Sequence, residues 1–176
     1  QLAHDGSAHA SQAILDELRE GVNKAYRQLR ELLTTFRLKM DGRGLAPALD
    51  ATVEEFRQRA AGNGGATGFA LDNRLAGCPL NVSGELHLLQ HVREALSHVV
   101  RHARASQASV ALDYAQDTVS VTVDDNGLGC TTAEPGNPHH YGLAIMQERA
   151  RSLGGDVRSL RRDGGGTRVE LRFTPA

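Results

Sequence analysis

The stretch LHLLQHVREALSHVVRHA, from Leu86 to Ala103, limits the fold more than any other part of the sequence. Leu89, Val92, Leu96, Val99 and Ala103 recur at alternating steps of three and four, which lays one apolar stripe along a helix and requires a core to receive it. A second line of the same period carries His91, Glu94, His98 and Arg101, with His102 beside it. A carboxylate, imidazoles and a guanidinium on one line suit a ligand that combines negative charge with a metal ion. The helix alone leaves three readings open. One is an ordinary solvated face, the default for an amphipathic helix. Another is a transition-metal site from His91, Glu94 and His98, testable by zinc titration, although no ligand-rich second segment completes it. The third is a site for nucleotide phosphates and a metal, and that depends on what the chain supplies further on.

With 176 residues the chain can form one domain with a proper core plus an appended element. Its formal net charge is -1, from 20 basic and 21 acidic residues, so nothing in it argues for wrapping a nucleic-acid backbone. It lacks an apolar run of bilayer-spanning length, and its start has no basic region followed by an apolar stretch, so neither membrane contact nor secretion is expected. Cys78 and Cys130 are too few and too unpatterned for a disulfide framework or a zinc site, and they fit a reducing compartment, most simply the cytoplasm.

Residues 1 to 11 have no period and read as a frayed start. Leu15, Leu18, Val22, Ala25, Leu29, Leu32 and Phe36 then step by three and four along one long helix, a narrow seam widened by Ile14, Leu33 and Met40. Such a seam calls for partner helices, and Asp41-Gly42-Arg43-Gly44 ends it. Leu45 to Ala60 is a second helix, entered through Pro47. Thr67 to Leu71 reads as a short strand, and Asp72 to Gly84 as an irregular piece with Ser83 capping the central helix. Beyond that helix, Ser109 to Tyr114 and Thr118 to Val123 alternate around Ala115-Gln116-Asp117 as an antiparallel hairpin. Tyr141 to Leu153 is a helix ending at Gly154-Gly155. Val157 to Arg161 and Thr167 to Phe173 form a last hairpin, closed by Asp163-Gly164-Gly165-Gly166. This order argues for an α+β fold, one layer of helices on one mostly antiparallel sheet.

The glycine motifs are ambiguous singly. Asp125-Asn126-Gly127 serves as a tight turn in many chains, and a triple glycine as a hairpin tip. Their chemical reading is that the Asp125 carboxylate, at a strand end, accepts from the exocyclic amine of adenine while Gly127 and Gly129 let backbone approach the base. Gly142, opening a helix after a loop, would offer free backbone N–H groups to phosphates.

Taken in order, these motifs carry a resemblance. Glu94-Ala95-Leu96-Ser97-His98-Val99-Val100-Arg101-His102 resembles the N box of the Bergerat-fold (GHKL) ATPases of the sensor histidine kinase group. Asp125-Asn126-Gly127-Leu128-Gly129 resembles the first glycine box, His140-Tyr141-Gly142-Leu143 the glycine segment after the ATP lid, and Gly165-Gly166-Thr167 the last box. Gln28 to Leu38 and Gly44 to Leu49 resemble the nitrate/nitrite-sensor (NarX/NarQ) type in particular, so the likeness runs from about Ser11 onward. It implies a Bergerat-type α/β sandwich, mixed and mostly antiparallel, with helices covering one face, behind a long coiled-coil-like helix. Residues 1–43 would be part of the dimerisation element and 44–176 the ATP-binding catalytic domain.

The resemblance also implies roles and partners. The cofactors would be ATP and magnesium, with Asp125 on adenine and Thr167 beside it. Glu94 would act as general base or water-positioning group. Arg101 and His102 would face phosphates, Tyr141, Gly142 and Leu143 would begin the helix after the lid, and Gly127, Gly129 and Gly166 would form the base end. The family reaction moves the ATP γ-phosphoryl group to a histidine and then to an aspartate on a response regulator, here of the NarL type. The parent would be a homodimer joined through the N-terminal helix, with its catalytic part on the cytoplasmic side of an inner membrane. Two departures stand out. The family places Asn, a magnesium ligand, where this chain has His98, and imidazole suits magnesium poorly, so weakened Mg-ATP use is expected. His4-Asp5 matches the phosphoacceptor pair in letters only, so the chain is not expected to carry the acceptor or to phosphorylate itself stably. The rivals are a degenerate ATPase-fold module that only dimerises or docks, and a serine kinase of the anti-sigma-factor type, which the long heptad helix disfavours.

Overall fold

In the computed structural model the described residues are 44–62, 67–129 and 139–175, with Gly21, Val22, Ala25 and Leu29; of 139–144 only the backbone is described. The chain divides into two compact units, Gln1–Asp41 and Gly42–Ala176. Most of the expected N-terminal seam lies outside the described residues. Of its positions, Val22, Ala25 and Leu29 are helical and exposed, Val22 by 68% and Leu29 by 57%.

The second unit runs α1 (Leu45–Gly62), β1 (Gly68–Arg74), α2 (Val82–His98), a π-helical turn (Val99–Ala103), β2 (Gln107–Ala115), β3 (Thr118–Asp125), α3 (His139–Ser152), β4 (Asp156–Arg161) and β5 (Thr167–Phe173). The sheet has five strands in the order β1-β2-β3-β5-β4. β1 pairs parallel with β2, and the other pairings are antiparallel. A parallel pair needs a long crossover, and α2 with its π turn is that crossover.

Alternation builds the sheet. Val110 and Leu112 on β2, Val119, Val121 and Val123 on β3, and Val169, Leu171 and Phe173 on β5 form one buried face. The opposite face is laced by exposed ion pairs such as Arg168–Asp124 and Arg172–Glu170. The β2–β3 turn is made by Gln116 and Asp117, both left-handed at φ 50° and 56°, the pair of conformations whose twist matches that of the flanking strands. On the buried face lies α2, with Leu88, Leu89, Val92, Ala95 and Leu96 inside and α1 and α3 against it. Arg93 ties α2 to α1, its Nη1 lying 2.8 Å from the Glu55 carboxylate and its guanidinium 5.7 Å above the Phe56 ring.

Several boundaries differ from the sequence reading. The cap of α2 is Asn81, whose side chain accepts from the Gly84 N–H at 2.8 Å, so the helix starts at Val82 and Ser83 lies inside its first turn. Asn caps as well as Ser does, and the intervening Val82 and Ser83 gave no apolar period to mark the start. β1 continues to Arg74, in register with Asp113, because an edge strand can stay paired after its alternation has faded into polar residues. The end of α2 widens into a π turn that closes at Arg104, left-handed at φ 50°.

Candidate functional site

Asp125 is the next step in the buried row of β3, after Val119, Val121 and Val123, so a period of two carries a carboxylate to the helix side of the sheet, where it is 3% exposed. Its Oδ1 accepts from the Gly127 N–H at 2.8 Å, and Oδ2 accepts from no described residue. Thr167, also buried, begins the matching row of β5, one step past the Asp124–Arg168 pair. Asp125 and Thr167 thus mark the same end of the sheet.

Two loops meet there backbone against backbone. A Cβ on Gly166, which sits at φ +89°, would lie 1.9 Å from the Asp125 carbonyl oxygen, and one on Gly127 would lie 2.0 Å from that of Ala103. Gly129, at φ +80°, faces the Gly166 carbonyl. The glycines therefore serve close approach as well as turning. Asn126 fixes the loop from its other side: its Oδ1 accepts from the N–H groups of Ser106 and Gln107 at 3.0 and 2.9 Å, and its Nδ2 donates to the Ser106 hydroxyl. The Leu128 N–H donates to the Ala103 carbonyl at 2.9 Å, which attaches the loop to the π turn at the end of α2. Such turns concentrate at functional sites.

The polar stripe of α2 divides along its length. Glu94 and His98 are half-buried, and Arg101 and His102 are exposed, with the His98 and His102 rings 5.1 Å apart. The side chains of Glu94 and Arg101 form no hydrogen bond or ion pair with any described residue. His91 departs from expectation. It is 1% exposed, with neither ring nitrogen hydrogen-bonded. The helical period found the right face, but α3 packs across its first half and brings Arg149 near. The metal site of His91, Glu94 and His98 is accordingly not assembled; among the described residues no group of three or more His, Cys, Asp or Glu is placed to hold an ion.

Burial first, and the Arg149 charge second, push the His91 imidazole down from 6.5 to about 4. Since the unfolded chain takes up this proton more readily, stability is unaffected above the ordinary histidine value and falls as pH drops from about 6.5 towards 4, with about 2 kcal/mol lost near pH 5. Urea midpoints of the wild type near pH 7.5 and near pH 5 should show this loss, and His91→Leu should remove most of it. A wild-type midpoint that does not move would contradict the neutral buried ring.

Tyr141, Gly142 and Leu143 fall inside α3, and their side chains are outside the described residues, as are residues 130–138. The helix begins at His139, so Gly142 does not open it. It is the fourth residue, still within the turn whose amides lack an acceptor four residues back. The sequence reading missed the Asn126 staple, the Ala103 carbonyl and Arg149. Asn126 could be seen only as a turn former, and the other two carry no motif.

The arrangement fits an adenine nucleotide. The Asp125 carboxylate, with one oxygen that accepts from no described residue, suits an exocyclic amine, and Glu94 on α2 and Arg101 on the π turn supply charge. Magnesium fits less well: Glu94 supplies a hard oxygen donor, but His98 supplies an imidazole.

Fold and site together define a nucleotide-binding ATPase domain, and the chain belongs to the histidine kinase-, DNA gyrase B- and HSP90-like ATPase family, whose model matches residues 83–176. It is 40% identical over 180 residues to nitrate/nitrite sensor protein NarX of Escherichia coli (strain K12), a match covering 99% of this chain and 28% of that protein. It is 39% identical over 168 residues to nitrate/nitrite sensor protein NarQ of the same strain, covering 94% of this chain and 28% of that protein. The chain thus spans under a third of the length of these relatives. The fold matches the blue-light activated histidine kinase of Erythrobacter litoralis EL346 with a TM-score of 0.69 at 19% identity, over 88% of this chain and 49% of that one. The histidine kinase domain of that protein gives a TM-score of 0.67 at 21% identity, over 85% of this chain and 73% of that one. No helix among the described residues is long and apolar enough to cross a membrane.

Proposed function

We propose that the chain is the ATP-binding catalytic portion of a sensor histidine kinase of the nitrate/nitrite-sensor type, with residues 44–176 as the catalytic domain and 1–43 as part of the dimerisation element. The observation that carries this reading is the buried Asp125 carboxylate, with one oxygen engaged by the Gly127 N–H and the other without a donor among the described residues. Asp125 and Thr167 would hold the adenine, with Gly127, Gly129 and Gly166 drawing the backbone of the base end together. Arg101, His102 and the segment Tyr141-Gly142-Leu143 would bind phosphates. Glu94 would serve as general base or position the attacking group at the γ-phosphoryl. Phosphoryl transfer depends mainly on positioning and charge stabilisation, and these residues supply both. Magnesium, when bound, would neutralise phosphate charge beside Glu94 and His98. The transferred group would pass to a histidine on a homodimeric parent and then to a response regulator of the NarL type, on the cytoplasmic side of the membrane.

A second reading, a degenerate domain that dimerises or docks with impaired Mg-ATP use, is favoured by His98, whose imidazole suits transition metals better than magnesium. One titration addresses both. A fluorescent ATP analogue should bind the wild-type chain, and His98→Asn should bind it about tenfold more tightly when magnesium is present, with no such gain in EDTA. No binding by either protein would refute the kinase reading. Binding that is equal for the two in magnesium would refute the role of His98.

A further inference from the structure

The outer face of the sheet holds a group that none of the four boxes includes. Arg162 follows β4 and reaches back over β3, where its Nη1 donates to the backbone carbonyl of Asp125 at 2.8 Å. Its Nε lies 3.8 Å from the Asp124 carboxylate, which is also gripped by Arg168 at 2.6 and 2.8 Å. The backbone of Arg162 closes the glycine loop, its N–H donating to the Gly166 carbonyl and its own carbonyl accepting from the Gly165 N–H, each at 3.1 Å. The Asp125 carbonyl is therefore held by two parts of one hairpin, the guanidinium of Arg162 and the close-packed backbone of Gly166.

The geometry points to Arg162 as a positioning residue for base recognition: it fixes the Asp125 peptide from the solvent side of the sheet so that the carboxylate on the helix side meets the adenine amine. The inference rests on the proposed nucleotide site. A carboxylate on a freely tilting peptide would spread its acceptor over several orientations, and one hydrogen bond to a rigid ligand selects only one of them. The carbonyl and carboxylate of a residue share its Cα, so clamping the first limits the second. Asp124 keeps the guanidinium in place without touching the site, and its 13% side-chain exposure, against 36% for Arg162, leaves that pair partly shielded from solvent.

Because Arg162 would act through Asp125, it should affect choice of base more than grip on phosphates. The test is the ratio of ATP to GTP affinity, measured by calorimetry on the full chain. Arg162→Met keeps the apolar stem and removes the donors, and Arg162→Ala removes both. We expect each to weaken ATP about tenfold and GTP less than about twofold, and Arg162→Lys to recover part of the ratio. A role limited to stability would lower the melting temperature and weaken both nucleotides alike. If the wild type binds ATP with preference and the ratio is unchanged in whichever of the Met and Ala variants folds, the positioning role is refuted while the nucleotide site stands. If the wild type shows no preference for ATP, both readings fail together.

Discussion

Asp125→Asn should leave the fold intact and reduce ATP affinity by about ten- to a hundredfold, the worth of one hydrogen bond to a charged group. The two side chains have the same shape, and the amide oxygen of Asn can still accept from the Gly127 N–H that Oδ1 now engages. The amide nitrogen would then take the place of Oδ2 and turn two hydrogens towards the adenine amine, a donor against a donor. Removing the acceptor therefore does more than lose a bond, because it leaves a buried polar group opposed. Calorimetric titration with ATP, with circular dichroism as the check on folding, decides the matter. Undiminished affinity in a folded Asp125→Asn protein would remove Asp125 from base recognition.

Gly166→Ala should be the most damaging single methyl in the domain. The added Cβ would lie 1.9 Å from the Asp125 carbonyl oxygen and 2.8 Å from the Asn126 Cα, both backbone atoms that cannot swing aside, and the residue sits at φ +89°. Strain and overpacking each cost about 1–3 kcal/mol, so a total near 3 kcal/mol or more is expected, lowering the melting temperature by about 10 °C. Gly164 provides the control. It has nearly the same conformation, φ +88°, with nothing within 4 Å of its would-be Cβ, so Gly164→Ala carries the strain without the collision. If the two variants melt together, the contact between the glycine loops contributes nothing.

The site was partly legible in the sequence, and the division has physical causes. Asp125 could be found because its Asp-Asn-Gly motif stands at a strand end, and in the structure it continues the buried row of Val119, Val121 and Val123. Helical period likewise placed Leu89, Val92 and Leu96 inside. The same period could not tell that α3 would cover His91 and leave Glu94 and His98 half-buried, because a face is local and its covering is tertiary. The loops were harder still. Their contacts run through carbonyl oxygens and glycine Cα atoms, which have no side chain to advertise them, so Gly127 and Gly166 could be read as turns but not as close neighbours of the Ala103 and Asp125 carbonyls. Arg162 was invisible for a related reason, since its target is a backbone oxygen thirty-seven positions away.

The bond from Leu128 to the Ala103 carbonyl has a mechanical consequence. Glu94 and the Ala103 anchor of the Asn126–Gly129 loop hang from the same rod, nine residues apart, the first on α2 and the second at the end of its π turn. In the proposed nucleotide site that spacing would act as a ruler for the distance from purine to terminal phosphate. A tilt of the whole rod carries both marks together and leaves the reading unchanged, whereas deleting one residue between them would turn the acid by about 100° and present a different carbonyl to the loop.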